Sequence, residues 1–203
     1  MAKIKFTKTE LKKQRDSLKQ FKRFLPTLQL KKQQLQMELQ KCQDNMRQLA
    51  EEEEELKFSL SGWIGFFGEP GLLEQLPKLV SVKQIATEKK NIAGVEIPVF
   101  KALIDEIEEY DLFYEELWID DAIETVSMII ELRAKRRIIE EQSRLLSNEL
   151  RVTNQRVNLF EKIKIPSCIE NIRSIQIYIG DMDTAAVGRS KLAKKKTQEV
   201  LLI

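Results

Sequence analysis

The sequence has no histidine, two cysteines (Cys42 and Cys168), seven glycines, five prolines and only 7% aromatic residues in 203 positions. Each shortage excludes something. Without histidine there is no imidazole to act as general base or metal ligand. Two cysteines so far apart form neither a disulfide framework nor a zinc motif. Phosphate-binding and dinucleotide-binding glycine loops are missing too, so no cofactor is expected. No apolar run is long enough to cross a bilayer. The opening segment MAKIKFTKTELKK has no apolar stretch behind its charges and is not expected to be a signal peptide, which leaves a cytoplasmic location as the default.

Charge is abundant instead, at 33% of residues, and together with Leu, Gln and Lys it fits long exposed helices better than a globule. The net charge of +2 conceals segregation. Residues 1–32 hold eleven Lys/Arg against Glu10 and Asp16. Residues 189–196 hold Arg189, Lys191, Lys194, Lys195 and Lys196 with no acid. The centre is opposite in sign, with Glu51 to Glu55 in a row and ten Asp/Glu, unaccompanied by Lys or Arg, in residues 105–124. Successive glutamates on a helix point in different directions, so the run at 51–55 reads as solvated surface rather than a metal site. Residues 105–124 read as solvated surface or as a docking surface.

A 3.5-residue repeat organises the first segment. With position a at Leu11, Leu18, Leu25, Lys32, Leu39, Met46 and Glu53, position d falls on Gln14, Phe21, Leu28, Leu35, Cys42, Leu49 and Leu56. Eleven of these fourteen are apolar. Seven heptads in one register keep a single seam facing a partner helix. At about 1.5 Å per residue the stretch is about 70 Å long. Thr7 or Thr9 is expected to cap its start, Glu10 completing a capping box with Thr7, and Cys42 at a d position is a small core residue rather than a reactive thiol, with Cys168 read the same way. Pro26 is expected to kink the helix or remove a hydrogen bond.

The first helix is expected to end near Ser59, before SGWIGFFGEPG at 61–71, a glycine-rich aromatic turn. A short helix broken at Pro77 is expected over 72–80. The apolar runs Val80–Ala86 and Ile92–Phe100, flanking Thr87–Asn91, predict a β-hairpin at about 80–100, with Pro98 on an edge strand or at a strand end. Residues 101–118 are expected to be helical or irregular. From about Asp120 to Thr184 or beyond, a second long helix carries the seam Ile139, Leu146, Leu150, Val157 and Phe160, then Ile165, Ile169, Ile172, Ile175 and Ile179. No single heptad frame covers that seam, and a stutter or kink is expected near Pro166. Gly180 and Gly188 put helix formation beyond 180 in question.

Each seam must be buried, and the simplest partner of one is the other. The predicted fold is therefore mainly α. N- and C-terminal helices form a long antiparallel two-helix coiled coil around a small middle region with the hairpin. The segments are 1–60 for the first helix, 61–118 for the insert and 119–203 for the second helix and basic tail. Pairing places both basic termini at one end and the acidic insert at the other. Three readings of the basic end stay open: scattered solvated lysines, a nucleic-acid contact, and a contact with a protein cavity. Interleaved aromatics are few there, which weighs against nucleic acid.

Four stretches together resemble the D subunit, the central-stalk component of V-type and archaeal-type rotary ATPases. They are Thr7-Lys8-Thr9-Glu10-Leu11; Asn91-Ile92-Ala93-Gly94-Val95-Glu96-Ile97-Pro98; Arg156-Val157-Asn158-Leu159-Phe160-Glu161; and Ile165-Pro166 with Ile169-Glu170-Asn171-Ile172. Their order and spacing cover nearly the whole chain. The family's usual Arg-Leu-Lys near the end is replaced by Gly188-Arg189-Ser190-Lys191-Leu192.

The resemblance implies a rotor shaft with no catalytic site of its own. The shaft carries torque between ATP hydrolysis or synthesis in the head and translocation of H+ or Na+ in the membrane ring. Its implied partners are the A and B subunits of the head, the small F subunit of the stalk and the socket subunit of the ring, with no nucleic acid and no membrane insertion. It places the complex at the membrane with this chain peripheral and cytoplasmic. The expected coiled-coil core is Leu11, Leu18, Phe21, Leu25, Leu28, Leu35, Leu39, Leu49, Val157, Phe160, Ile172, Ile175 and Ile179. The expected head contact is Lys3, Lys5, Lys8, Lys12, Lys191, Lys194, Lys195 and Lys196. Gly94, Val95, Pro98, Arg156, Val157, Asn158 and Pro166 carry the family pattern. The alternatives are a coiled-coil scaffold or tether, which would not require the Gly94–Pro98 and Arg156–Glu161 stretches, and an F-type gamma-like stalk protein, whose insert is much larger.

Overall fold

A computed structural model describes residues 4–60, 80–107 and 119–200. The elements are helix α1 (Lys8–Leu60), strands β1 (Val80–Ile92) and β2 (Val95–Ile107), helix α2 (Ile119–Asn158), a π-helical turn (Leu159–Lys164) and helix α3 (Ile165–Val200). The expected glycine-rich turn at 61–71, the broken helix at 72–80 and the aromatic stretch 108–118 fall outside the described residues, except that Val80 opens β1.

Thr7 caps α1: its Oγ1 accepts the Glu10 N–H at 3.2 Å and its carbonyl accepts the Leu11 N–H at 3.0 Å. The Glu10 carboxylate then accepts from Gln14 Nε2 at 2.8 Å, one turn further on. The helix runs through Pro26, which lies on an exposed face beside an exposed Lys22. There the carbonyl that loses its partner stays open to water. All fourteen a and d positions of the heptad frame are buried or half-buried.

The chain forms two compact units, Met1–Lys31 with Val152–Ile203, and Lys32–Arg151. These divide both helices, whereas composition divides the chain at the ends of the insert. In the first unit Phe6 meets Tyr178, Gln14 meets Asn171 and Phe21 meets Phe160. Numbers rise on α1 as they fall on its helical partner, so the helices are antiparallel. In the second unit Cys42 meets Gln142 and Glu53 meets Arg136, again antiparallel. Its core is Leu35, Cys42, Ile97 and Leu146, with Leu39, Val95 and Ile139 packed against it.

Several expectations need correction. The hairpin turns at Ala93-Gly94, not at Thr87–Asn91. Ala93 (φ 51°) and Gly94 (φ 82°) both take left-handed backbone, and the Gly94 N–H donates to Asn91 Oδ1 at 3.0 Å. Such two-residue loops match the twist of paired strands, so the polar run before them continues the strand. Thr87–Asn91 pairs with Glu96–Phe100, and the strands extend to Val80 and Ile107 with irregularities after Val82 and Ala86. Residues 101–107 are therefore strand rather than helix or irregular chain. Gly180 and Gly188 do not end the last helix, which continues to Val200. Ile169 is exposed, and the buried position beside it belongs to Cys168.

Candidate functional site

Two surfaces carry the residues singled out in the sequence. The first is the seat of the hairpin. Val95 opens β2 against the core, and two residues on Ile97 is 3% exposed. Alternation along the strand directs both to the same face. Pro98 cannot donate, but its carbonyl accepts from Gln142 Nε2. Gln142 Oε1 in turn receives the Cys42 thiol at 3.8 Å, so one side chain joins α1, α2 and β2. Lys135 Nζ stands 5.5 Å from the centre of the Phe100 ring. Gln142 gave no signal in the sequence, because an amide on a helix face looks like solvated surface until the strand lies over it. Beside this seat is a cavity of about 830 Å³ with Met37, Leu49, Ile138 and Asn45 in its lining.

Electrostatics tighten the same unit. Of the five consecutive glutamates, Glu53 is half-buried and the other four are exposed. Glu53 pairs with Lys57 at 3.2 Å and crosses to Arg136 at 3.4 Å. The hydrogen bond from Lys57, with the charges of Lys57, Arg133 and Arg136, holds the Glu53 carboxyl below the usual carboxylate range. A carboxyl lowered on folding stabilises the fold above its unfolded value, and this is lost as pH falls through the folded one. Wild-type melting temperature is therefore expected to fall more steeply than that of Glu53→Gln between about pH 5 and pH 3. Parallel curves would show that Glu53 is not linked to folding.

Burial raises the Cys42 thiol, with Glu38 adding to it. Burial also raises Cys168, against an opposing effect of Lys164. Both are free cysteines kept in the thiol form at neutral pH. Among the described residues no cluster of Cys, Asp and Glu is arranged to hold a metal ion.

The second surface is basic. Lys5, Lys8 and Lys12 are exposed at the start of α1, and Lys191, Lys194, Lys195 and Lys196 are exposed on α3. All seven belong to one unit, whereas Lys3 lies outside the described residues. From Gly180 to Gln198 every residue of α3 is exposed, including Met182, Val187 and Leu192. Of the remaining pattern residues, Arg156 and Asn158 are exposed on either side of buried Val157, just before the π-turn, and Pro166 is exposed just after it.

These features define a mainly helical protein whose terminal helices pair antiparallel, with a β-hairpin inserted between them. The sequence pattern of the ATP synthase D subunit matches residues 10–195, and the chain belongs to that family. It is 46% identical over 194 residues to the V-type ATP synthase D subunit of Borreliella burgdorferi, covering 96% of this chain and 95% of that one. To the V-type ATP synthase D subunit of Chlamydia muridarum it is 32% identical over 196 residues, covering 97% of each. No helix among the described residues is long and apolar enough to cross a membrane.

Proposed function

We propose that this chain is the central rotor shaft of a V-type ATPase and has no catalytic site of its own. It carries torque between the head, built of A and B subunits, and the ion-translocating membrane ring. The small F subunit is held on the shaft and the socket subunit joins it to the ring. In the cell it is cytoplasmic and peripheral to the membrane. The paired helices bear the load because their seams resist sliding. Unlike faces presented to successive head sites shift each site's conformational equilibrium, so the shaft directs chemistry without performing it.

The observation that carries this reading is the end of α3. Helix that buries little of its surface is marginal in water. Here a fully exposed stretch, Gly180 to Gln198, holds five basic residues and exposed apolar ones. The N-terminal lysines belong to the same unit. A cavity lined by acidic and apolar groups would satisfy both.

The test replaces Lys5, Lys8, Lys12, Lys191, Lys194, Lys195 and Lys196 together by Gln. Exposed pairs contribute about 0.2–1 kcal/mol each, so seven losses are expected to weaken head assembly at least about tenfold, most visibly at raised salt. The native complex is expected to contain one copy of this chain per head. Unchanged assembly together with unchanged ATP-driven pumping would sink the head contact.

A further inference from the structure

The π-turn explains the slip in the second seam. Along the pair in the terminal unit, Thr153, Val157 and Phe160 follow the alternating four- and three-residue steps of a helical seam, and all face inward. Continued without change, those steps would reach Lys164, Ser167, Asn171, Ser174 and Tyr178. Four of these five, all but Asn171, are exposed. The buried or half-buried apolar set is instead Ile165, Cys168, Ile172, Ile175 and Ile179, each one residue later. The offset is a single residue and it arises between Phe160 and Ile165.

Leu159–Lys164 is where the extra residue sits. The Ile165 N–H bonds to the Phe160 carbonyl, five residues back, where an α-helix would reach four. One residue in an α-helix turns the chain by about 100°, so without this turn the later isoleucines would leave the seam. None of the six residues is buried, and Ile163 is 58% exposed. Pro166, in the first turn of α3, marks the place: its ring would collide with the carbonyl four residues back in a tight helix, and a wider turn before it relieves this. The Phe21 ring, 5.1 Å from Phe160, closes the seam on the near side.

We propose that Leu159–Lys164 is a register joint: it holds one residue more than the seam needs, and it opens ahead of the helix on either side. Wide bonds, no buried side chain and a missing N–H at Pro166 make it the weakest turn of the paired stretch. In a rotor, which rests on the function proposed above, this joint is where twist between the two seam segments is taken up.

Deletion of Ile163, made together with Pro166→Ala so that plain α-helix meets no ring clash, tests this in the full-length chain. Removing the surplus residue should convert the turn to plain α-helix and leave Ile165 to Ile179 in the seam. Cys168 is the built-in reporter, read by maleimide labelling with mass mapping to separate it from Cys42. Its labelling rate is expected to stay within about twofold of wild type, and the rapid amide exchange expected at 160–166 to disappear. Deletion of exposed Glu170, which pulls Ile172, Ile175 and Ile179 out of phase, should instead lower the melting temperature. Rapid labelling of Cys168 or loss of helix after deletion of Ile163 overturns the joint. So does wild-type exchange at 160–166 no faster than in the flanking turns. In the assembled complex, deletion of Ile163 should change the ratio of ions pumped to ATP hydrolysed against a gradient. An unchanged ratio with Cys168 still protected overturns the mechanical role and leaves the rotor assignment standing.

Discussion

Leu35→Ala is expected to destabilise the unit Lys32–Arg151 by about 2–5 kcal/mol. Leu35 is fully buried and belongs to the cluster in which α1, β2 and α2 meet, with Cys42, Ile97 and Leu146. The lost methyl groups account for part of the effect and the residual cavity for the rest. Collapse around that cavity is restricted, because Gln142 ties β2 to α2 through the Pro98 carbonyl. Denaturant melts give the size, and amide exchange gives the place: the N–H groups of 95–100 should exchange faster. A loss below about 1 kcal/mol would mean that the hairpin does not depend on this cluster.

Ile175→Ala is expected to cost a similar amount, about 2–5 kcal/mol, in the other unit. Ile175 is also fully buried, and it stands in the seam beyond the π-turn. Faster exchange should appear along 165–179 and not in the hairpin. Leu35 and Ile175 lie in different units, so the two losses should add within about 0.5 kcal/mol in the double variant. A large departure from additivity would show the units to be coupled along their shared helices. Exchange confined to one unit in each single variant would show the opposite.

The charge segregation behind the basic surface was legible, because it needs no coordinates. The hairpin was legible only in outline. A polar run such as Thr87-Glu88-Lys89-Lys90-Asn91 is usually a loop. Here it is strand, since every one of these residues pairs with β2 while its side chain stays in water. The real turn was hidden in Ala93-Gly94, inside what looks like a continuous apolar segment. Gln142 was not legible at all, since its role exists only once Pro98 and Cys42 are brought to it.

The sequence by itself determined the pairing face of α1, the mainly helical class and the family. A heptad repeat is a local, periodic property that survives without knowledge of the partner. Tertiary structure alone decided the phase of the second seam. Its residues read as a broken repeat near Pro166, and neither a kink nor a stutter could be chosen from spacing. The choice depends on which residues α1 must bury. A single surplus residue in Leu159–Lys164 brings Cys168, Ile172 and Ile175 inward and leaves Ile169 in water. Burial of those side chains favours the widened turn over the otherwise better bonds of an unbroken α-helix.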